Sequence, residues 1–312
     1  MEIHATLAAV PPADGPTALT VGKFESVHLG HQRLLRRLAG HAAAQGLTPA
    51  VTAFLNDPGE VTGTAASADK MIWPPADRAA FMEACGIRRV VFVPFDAAVA
   101  GLSAEAFVRG FVAGTMRARF FLCGADFRFG RGASGGADEC RDLGQAAGCE
   151  VAIELPFLVD GVKVSSSAIG ALVLAGDFDA AGRLLGRSYF IRGAISPGRG
   201  VGRQLGFPTL NIRYPDEVLV PEGIFAGWVE INGRRYPAAV NSGRRPTLEP
   251  DGRNVVEIHV LAGDFPLDAR EIRLFPVRKI RDEKKFPSQA ALVTQIARDC
   301  EMIRKVLKHG QA

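Results

Sequence analysis

Residues 17–45 read TALTVGKFESVHLGHQRLLRRLAGHAAAQ, and this stretch decides the fold of the first half of the chain. Thr17–Gly22 is a short apolar run that stops at a glycine, which predicts a buried strand. From His31 onward, Leu34, Leu35, Leu38 and Ala42 recur at helical spacing, which predicts an amphipathic helix to about residue 45. The alternation continues outward. Strand signals cover residues 49–54, 89–95, 119–124 and 150–158, and helix signals cover 76–85, 103–116 and 137–147. Such a chain predicts an α/β fold, a mostly parallel sheet covered by helices.

The pattern changes near residue 186. Two short helical segments (165–175 and 179–185) precede the change. Strand-like runs at 189–196, 224–231, 235–241, 254–261 and 271–280 follow without intervening helices. That succession predicts an antiparallel sandwich or barrel. A closing helix over 288–308 carries Leu292, Ile296, Ile303 and Leu307 as its inner stripe. The expected division is a nucleotide-binding domain over 1–185 and a β domain over 186–312.

With 312 residues, 47% of them apolar and 22% charged, the chain can bury two cores. No run of about 18 apolar residues occurs, so no membrane span is expected. The start, MEIHATLAAVPPADGP, has no basic segment before an apolar one, so no secretory signal is expected. Five scattered cysteines, none spaced CxxC, read as thiols in a reducing compartment, and the expected setting is cytoplasmic. The net charge of +4 comes without a basic block interleaved with aromatics, which argues against a nucleic-acid partner and leaves anionic small molecules.

The turn between the first strand and first helix, Gly22 to His31, lies where ligands of open parallel sheets bind. Helix-start N–H groups favour phosphate, and His28 and His31, three apart, can face one anion. Each can donate to a phosphate oxygen, and a cationic imidazolium would stabilise transition-state charge. The plainer reading is that one histidine caps the helix. Zinc lacks a third ligand at suitable spacing.

The densest signal is GRGVGRQLGFPTLN, residues 198–211. Gly198, Gly200, Gly202 and Gly206 let the backbone approach phosphates, and Arg203 adds charge. Thr209 and Asn211 lie two apart on an extended segment, and their oxygens suit Mg²⁺.

These residues resemble known families. His28-Leu29-Gly30-His31 is similar to the HxGH signature of nucleotidyltransferases and, more narrowly, to the FMN adenylyltransferase half of bacterial bifunctional riboflavin kinase/FAD synthetases. The resemblance adds Gly22, Phe24, Gly30 and the Ser165-Ser166-Ser167 segment as nucleotide-binding positions. It adds Asp126, Phe127 and Phe129, in a G-x-D/N-F-x-F-G-like run, as flavin-binding positions. Phe127 and Phe129 also read as core residues after a strand.

Residues 206–211, Gly-Phe-Pro-Thr-Leu-Asn, resemble the G-F-P-T-A-N motif of riboflavin kinases, which brings in Pro208. Further likenesses are Gly223-Ile224-Phe225-Ala226, residues 241–247, the strand Val256-Glu257-Ile258-His259, and residues 281–286. The resemblance implies a flavokinase antiparallel barrel behind a Rossmann-like domain, Glu257 as general base, Arg281, Glu283 and Phe286 along the flavin, and riboflavin, FMN and ATP with Mg²⁺ as ligands. Glu257 between apolar Val256 and Ile258 also reads as a solvent-facing strand residue.

Three positions depart from the adenylyltransferase pattern. Ser26 stands for glycine, which removes a permissive backbone; Asp57 stands for histidine, which places an acid near a triphosphate; Gly170 stands for the phosphate-clamping arginine. Arg128 and Arg131 are the nearby cations. Three expectations stay open: a bifunctional enzyme making FMN and then FAD; a riboflavin kinase with a non-adenylylating N-terminal binding domain; and a transferase with altered nucleotide specificity. Self-association stays open as well.

Overall fold

The computed structural model describes residues 1–63, 70–196, 202, 205–243, 255–261, 265–266 and 269–309. They fall into two units, Met1–Ser166 and Ser167–Ala312. In the first unit, β1 (Glu2–Ile3), β2 (Thr17–Gly22), β3 (Thr48–Phe54), β4 (Arg89–Val93), β5 (Ala118–Gly124) and β6 (Glu150–Glu154) form one sheet in the order β1-β4-β3-β2-β5-β6. Every pairing in it is parallel. The connecting helices are α1 (Leu29–Gln45), α2 (Pro58–Thr62), α3 (Pro75–Glu83), α4 (Ala97–Ala100) and α5 (Ala137–Ala146).

Strand residues feed two cores in alternation. Leu19, Val21, Val91 and Phe121 pack with Phe107, Phe111 and Cys140 on one side of the sheet. Ala18, Val51, Phe92 and Phe120 pack with Leu35, Leu38 and Met82 of α1 and α3 on the other. Burial on both faces explains why β2 and β3 read as unbroken apolar runs. Strand order reverses between β2 and β5, so the crevice beyond their carboxyl ends is the topological switch point.

Two local readings change. The helix expected over 103–116 winds as a π-helix over Ala106–Thr115, and the Met116 N–H donates to the Phe111 carbonyl at 2.9 Å. At the wider pitch Phe107, Phe111 with Val112, and Met116 share one line, and all are buried. The strand expected over 150–158 ends at Glu154. Pro156 has no N–H to continue the ladder, and the chain turns into a hairpin of β7 (Leu158–Val159) and β8 (Val162–Lys163). Asp160 and Gly161, at φ +51° and +78°, make its tight turn.

The second unit begins within α6 (Ser166–Ala175), one residue past its start, and continues through α7 (Phe178–Leu185). Strands β9 (Ile191–Ser196), β10 (Leu210–Arg213), β11 (Gly223–Ile231), β12 (Arg234–Gly243), β13 (Val255–Val260) and β14 (Glu271–Arg281) close a barrel in the order β10-β13-β12-β11-β14-β9. All pairings are antiparallel. Phe225, Val229, Val240, Ile258 and Leu274 are buried, with outward residues alternating between them. The closing helix α8 (Gln289–His309) lays Ile303 and Leu307 on Ala226, Ile224 and Val277 at the barrel's outer face.

Candidate active sites

In the barrel, register decides what meets what. Asn211 of β10 is paired with Glu257 of β13, Glu257 with Asn241 of β12, Asn241 with Ile224 of β11, and Ile224 with Arg281 of β14. Directly opposite residues share a face, so these five form one belt around the barrel's outer surface. Val256 and Ile258 point to the buried side, which puts Glu257 on the outer face. That face is roofed: a cavity of about 580 Å³ is lined by Thr209, Asn241, Glu257, Arg281, Glu283 and Phe286 together with Leu292 and Ile296 of α8. The solvent-facing reading of Glu257 therefore holds for the strand pattern alone and not for the folded unit.

Asn241 Nδ2 reaches Glu257 Oε2 at 3.4 Å, the edge of hydrogen-bond range, and orients the carboxylate across the strands. A ring nitrogen of His259 lies 2.8 Å from the Pro208 carbonyl, and the ring stands edge-on to Phe207, fixing the turn that carries Thr209. The Phe207 N–H donates to the Gly202 carbonyl at 2.7 Å. A Cβ on Gly202 would run into the Phe207 carbonyl oxygen and lie 3.1 Å from Thr209 Oγ1, so the close turn requires glycine.

Thr209 is exposed and precedes β10, whereas Asn211 is buried within it. Asn211 Oδ1 has no hydrogen-bond partner among the described residues. A buried carbonyl oxygen without a partner, beside a hydroxyl and a carboxylate, fits a hard oxygen-seeking dication. Arg281 donates from Nε and Nη2 to Asp299 Oδ2 at 3.0 and 2.7 Å, and its guanidinium lies 5.8 Å from the Phe286 ring centroid. Gln295 donates to the other oxygen of Asp299 and accepts from Lys284, which ties residues 281–286 to α8. Gly206 and Pro208 are exposed in the turn. Gly198, Gly200 and Arg203 lie outside the described residues, as do residues 244–247.

In the first unit, His28 is the N-cap of α1, and its Nδ1 accepts from the His31 N–H at 3.1 Å. That bond places the ring proton on Nε2. The capping reading and the ligand reading thus apply to the same residue. The His28 and His31 rings stack at 3.7 Å, and Phe24 tilts against His31 at 4.8 Å. A Cβ on Gly30 would stand 3.1 Å from His28 Cε1, which makes glycine the residue that lets the ring lie over the helix start. Burial pushes the His28 pKa down to about 4, with Lys163 adding to the effect. Burial, His28 and Arg78 hold His31 well below its usual range. Both histidines are therefore neutral near pH 7 before any anion arrives, which suits the N–H donation anticipated from the sequence better than the cationic form. His31 Nδ1 is buried with no partner among the described residues.

The segments chosen from the sequence converge here in part. Ser26 Oγ lies 2.7 Å from Ser166 Oγ, which joins the turn to the serine segment, and Ser165 is half-buried beside it. Ser26 is not at positive φ; Phe24 (+45°) and Val27 (+43°) are, so serine at 26 loses no backbone freedom that the turn needs. Asp57 does not stand as a bare acid. The Lys23 ammonium bonds both Asp57 and, at 2.7 Å, Glu25, while Asp57 caps α2 through the Gly59 N–H. Asp126 pairs with Lys163 at 2.5 Å. Phe129 is core, whereas Phe127, stacked on it, is only partly buried. Arg131 donates twice to the Gly101 carbonyl. In α6, Ser167 is exposed, and a Cβ at Gly170 would meet Leu219 at an ordinary 3.6 Å.

Sequence reading took in Asn241 and His259 only inside motif likenesses, without a role for either, and missed Asp299; all three matter only through register and helix docking. It also missed Arg78, fully buried on the inner face of α3 beside Ala79 and Met82. A lone arginine among apolar residues on a helix's inner stripe was the available signal.

Comparisons with known proteins cover both units of the chain. The FAD synthetase family model matches residues 10–168 and the riboflavin kinase family model residues 185–307. Proteins named bifunctional riboflavin kinase/FMN adenylyltransferase are similar along nearly the whole chain. The one from Pseudomonas fluorescens is 32% identical, with 97% of each chain covered. The Escherichia coli K12 protein is 32% identical, covering 92% of this chain and 91% of its own. The Bacillus subtilis 168 protein is 31% identical, covering 91% and 90%. Among solved structures, a Streptococcus pneumoniae protein described as a macrolide-efflux protein superposes with a TM-score of 0.81 at 26% identity, covering 97% of this chain and 98% of its own. No helix among the described residues is long and apolar enough to cross a membrane. With a parallel-sheet unit carrying HxGH, a barrel carrying the Asn211–Glu257–Asn241 belt, and both family models matched in order, the chain belongs to the bifunctional riboflavin kinase/FMN adenylyltransferase family.

Proposed function

We propose that the barrel phosphorylates riboflavin to FMN with ATP and that the N-terminal unit joins FMN to ATP, releasing pyrophosphate and FAD. The observation that carries the first half is the roofed cavity with Glu257 between Asn211 and Asn241. Glu257 accepts the proton of the ribityl 5′-hydroxyl, and Asn241 holds its carboxylate in line. The oxygen then attacks the γ-phosphorus as ADP leaves, a reaction governed by positioning and charge neutralisation. Thr209 and Asn211 would hold Mg²⁺, which when bound neutralises phosphate charge. Gly202, Gly206, Pro208 and, by motif, Gly198, Gly200 and Arg203 approach the nucleotide. Arg281, Glu283 and Phe286 flank the flavin under α8.

In the N-terminal unit, an FMN phosphate oxygen attacks the α-phosphorus of ATP, with no covalent enzyme intermediate. His28 and His31 donate N–H bonds to the phosphates at the α1 N-terminus. Gly22, Phe24, Gly30 and Ser165 to Ser167 shape the nucleotide site, and Asp126, Phe127 and Phe129 border the flavin. The pairing of Asp57 with Lys23 supports retention of activity, because it removes the repulsion that the substitution implied. The working division is 1–185 and 186–312. The five buried thiols favour a cytoplasmic setting.

A chromatographic time course with riboflavin and Mg-ATP tests both halves. FMN followed by FAD is expected. FMN accumulating alone, even after Gly170→Arg, would leave a riboflavin kinase with a binding domain. FAD forming only with another nucleoside triphosphate would give the altered-specificity transferase. Absence of FMN would overturn the assignment of the barrel.

A further inference from the structure

The carboxyl end of a parallel sheet leaves carbonyls pointing beyond the last ladder bond, and each needs a donor. At the ends of β2 and β3 one side chain supplies them. Arg78, on α3, donates from Nε to the Phe24 carbonyl at 3.1 Å and from Nη2 to the Phe54 carbonyl at 2.9 Å and to the Lys23 carbonyl. Its Nη1 faces Met71 Sδ at 3.5 Å, and the guanidinium lies 4.8 Å from the Phe92 ring centroid. The residue is fully buried. Among the described residues its hydrogen bonds go to these neutral acceptors, while the buried Glu25 carboxylate acts on its charge from nearby.

A buried guanidinium is costly, and an apolar side chain at this position would avoid that cost. What an apolar side chain does not provide is a fork bonding three carbonyls from two chain segments. The sheet does not need the fork, because β2 and β3 are already laddered from Thr17↔Thr48 to Gly22↔Ala53. The turn beyond β2 does. It leaves the sheet through Phe24 and Val27, both left-handed without being glycine, and such backbone persists only where its surroundings hold it. Four residues past Phe24 stands His28, which caps α1 and stacks on His31. Phe24, whose carbonyl Arg78 grips, also packs on His31.

We propose that Arg78 is the positioning residue of the nucleotidyl-transfer site: by bonding the carbonyls of Lys23, Phe24 and Phe54 it fixes the strained turn and thereby the stacked histidine pair. The inference rests on the adenylyl-transfer reading of the first unit for its kinetic consequence, though not for its structural one. Arg78 touches no reacting atom and acts through the turn.

The test uses the full chain with Arg78→Met and Arg78→Lys. Three quantities are followed: FMN formation in the barrel, kcat and KM for ATP in FAD formation from supplied FMN, and the imidazole NMR resonances of His28 and His31. In Arg78→Met, kcat for FAD formation is expected to fall about 10- to 100-fold, with KM for ATP moving less than about threefold. FMN formation should stay at the wild-type rate, and the histidine resonances should move from their stacked positions toward those of an exposed imidazole. Arg78→Lys should fall between, since an ammonium donates but does not fork. FAD formation within about twofold of wild type in either variant, with histidine resonances unmoved, would overturn the proposal. If Arg78→Met does not fold, Arg78→Lys decides by the same readouts. If the wild-type chain makes no FAD, the adenylyl-transfer reading fails, and the resonances alone decide the role of Arg78.

Discussion

The barrel site and the sheet-end site are built in opposite ways. In the barrel, Asn211, Glu257 and Asn241 come from three strands and meet because antiparallel register sets them side by side. The sheet-end site takes its residues from the ends of strands: Lys23 after β2, Asp57 after β3, Asp126 after β5, joined by Arg78 from a helix. A register-built site tolerates little exchange, since each member's neighbours are fixed by the ladder. A strand-end site can exchange partners, and here an acid at 57 coexists with a lysine at 23.

The largest expected effect tests the register-built side. Glu257→Gln should lower FMN formation by about 10²- to 10⁴-fold, the range general bases supply, while FAD formation from added FMN stays at wild-type rate. Near-normal FMN turnover would show that the belt does not contain the base.

On the other side, acid should weaken the N-terminal unit selectively. The folded pKa of His28 is about 4 against an ordinary 6.5, so below 6.5 the unfolded chain takes up a proton that the folded one refuses. Stability from this residue is intact above 6.5 and falls as pH drops toward 4, by on the order of 3 kcal/mol. Chemical unfolding followed across this window should show a shallower slope in His28→Gln than in wild type, with the remainder carried by His31. Equal slopes would mean that the ring is solvated.

Smaller still, Asn211→Ala should raise the Mg²⁺ concentration for half-maximal FMN formation by about 10- to 100-fold, with no change in the metal requirement of FAD formation. A parallel rise in both reactions would remove Asn211 from the metal site. The smallest effect probes partner exchange. Asp57→Asn keeps a capping side chain on α2 but leaves the Lys23 ammonium paired only with Glu25, so KM for ATP in FAD formation should fall about two- to fivefold. An increase would mean that Asp57 contacts substrate directly.

Much of this was legible along the chain. Apolar runs broken by glycine gave the strands, and 3.6-residue spacing gave α1 and α8, because both signals are local. The HxGH turn and the Gly-Phe-Pro-Thr-Leu-Asn run were legible for the same reason. The π-helix at 106–115 was not, since its apolar spacing satisfies an α-helix nearly as well and packing of Phe107, Phe111 and Met116 selects the wider pitch. The break after Glu154 was readable from Pro156 in hindsight, but the pairing of Leu158–Val159 with Val162–Lys163 lies beyond any single strand signal.

By itself the sequence determined that the chain has two units and what class each belongs to, and it singled out the residues proposed here for phosphate, metal and base chemistry, because side-chain type and short-range spacing set those signals. Only the tertiary structure decided that the outer face of β13 is roofed by α8, that Asn241 and His259 flank the proposed base and its loop, that Lys23 cancels Asp57, and that Arg78 grips the end of the sheet. Each of these depends on strand register or on one element docking on another, and such contacts join residues tens of positions apart with no trace in local pattern.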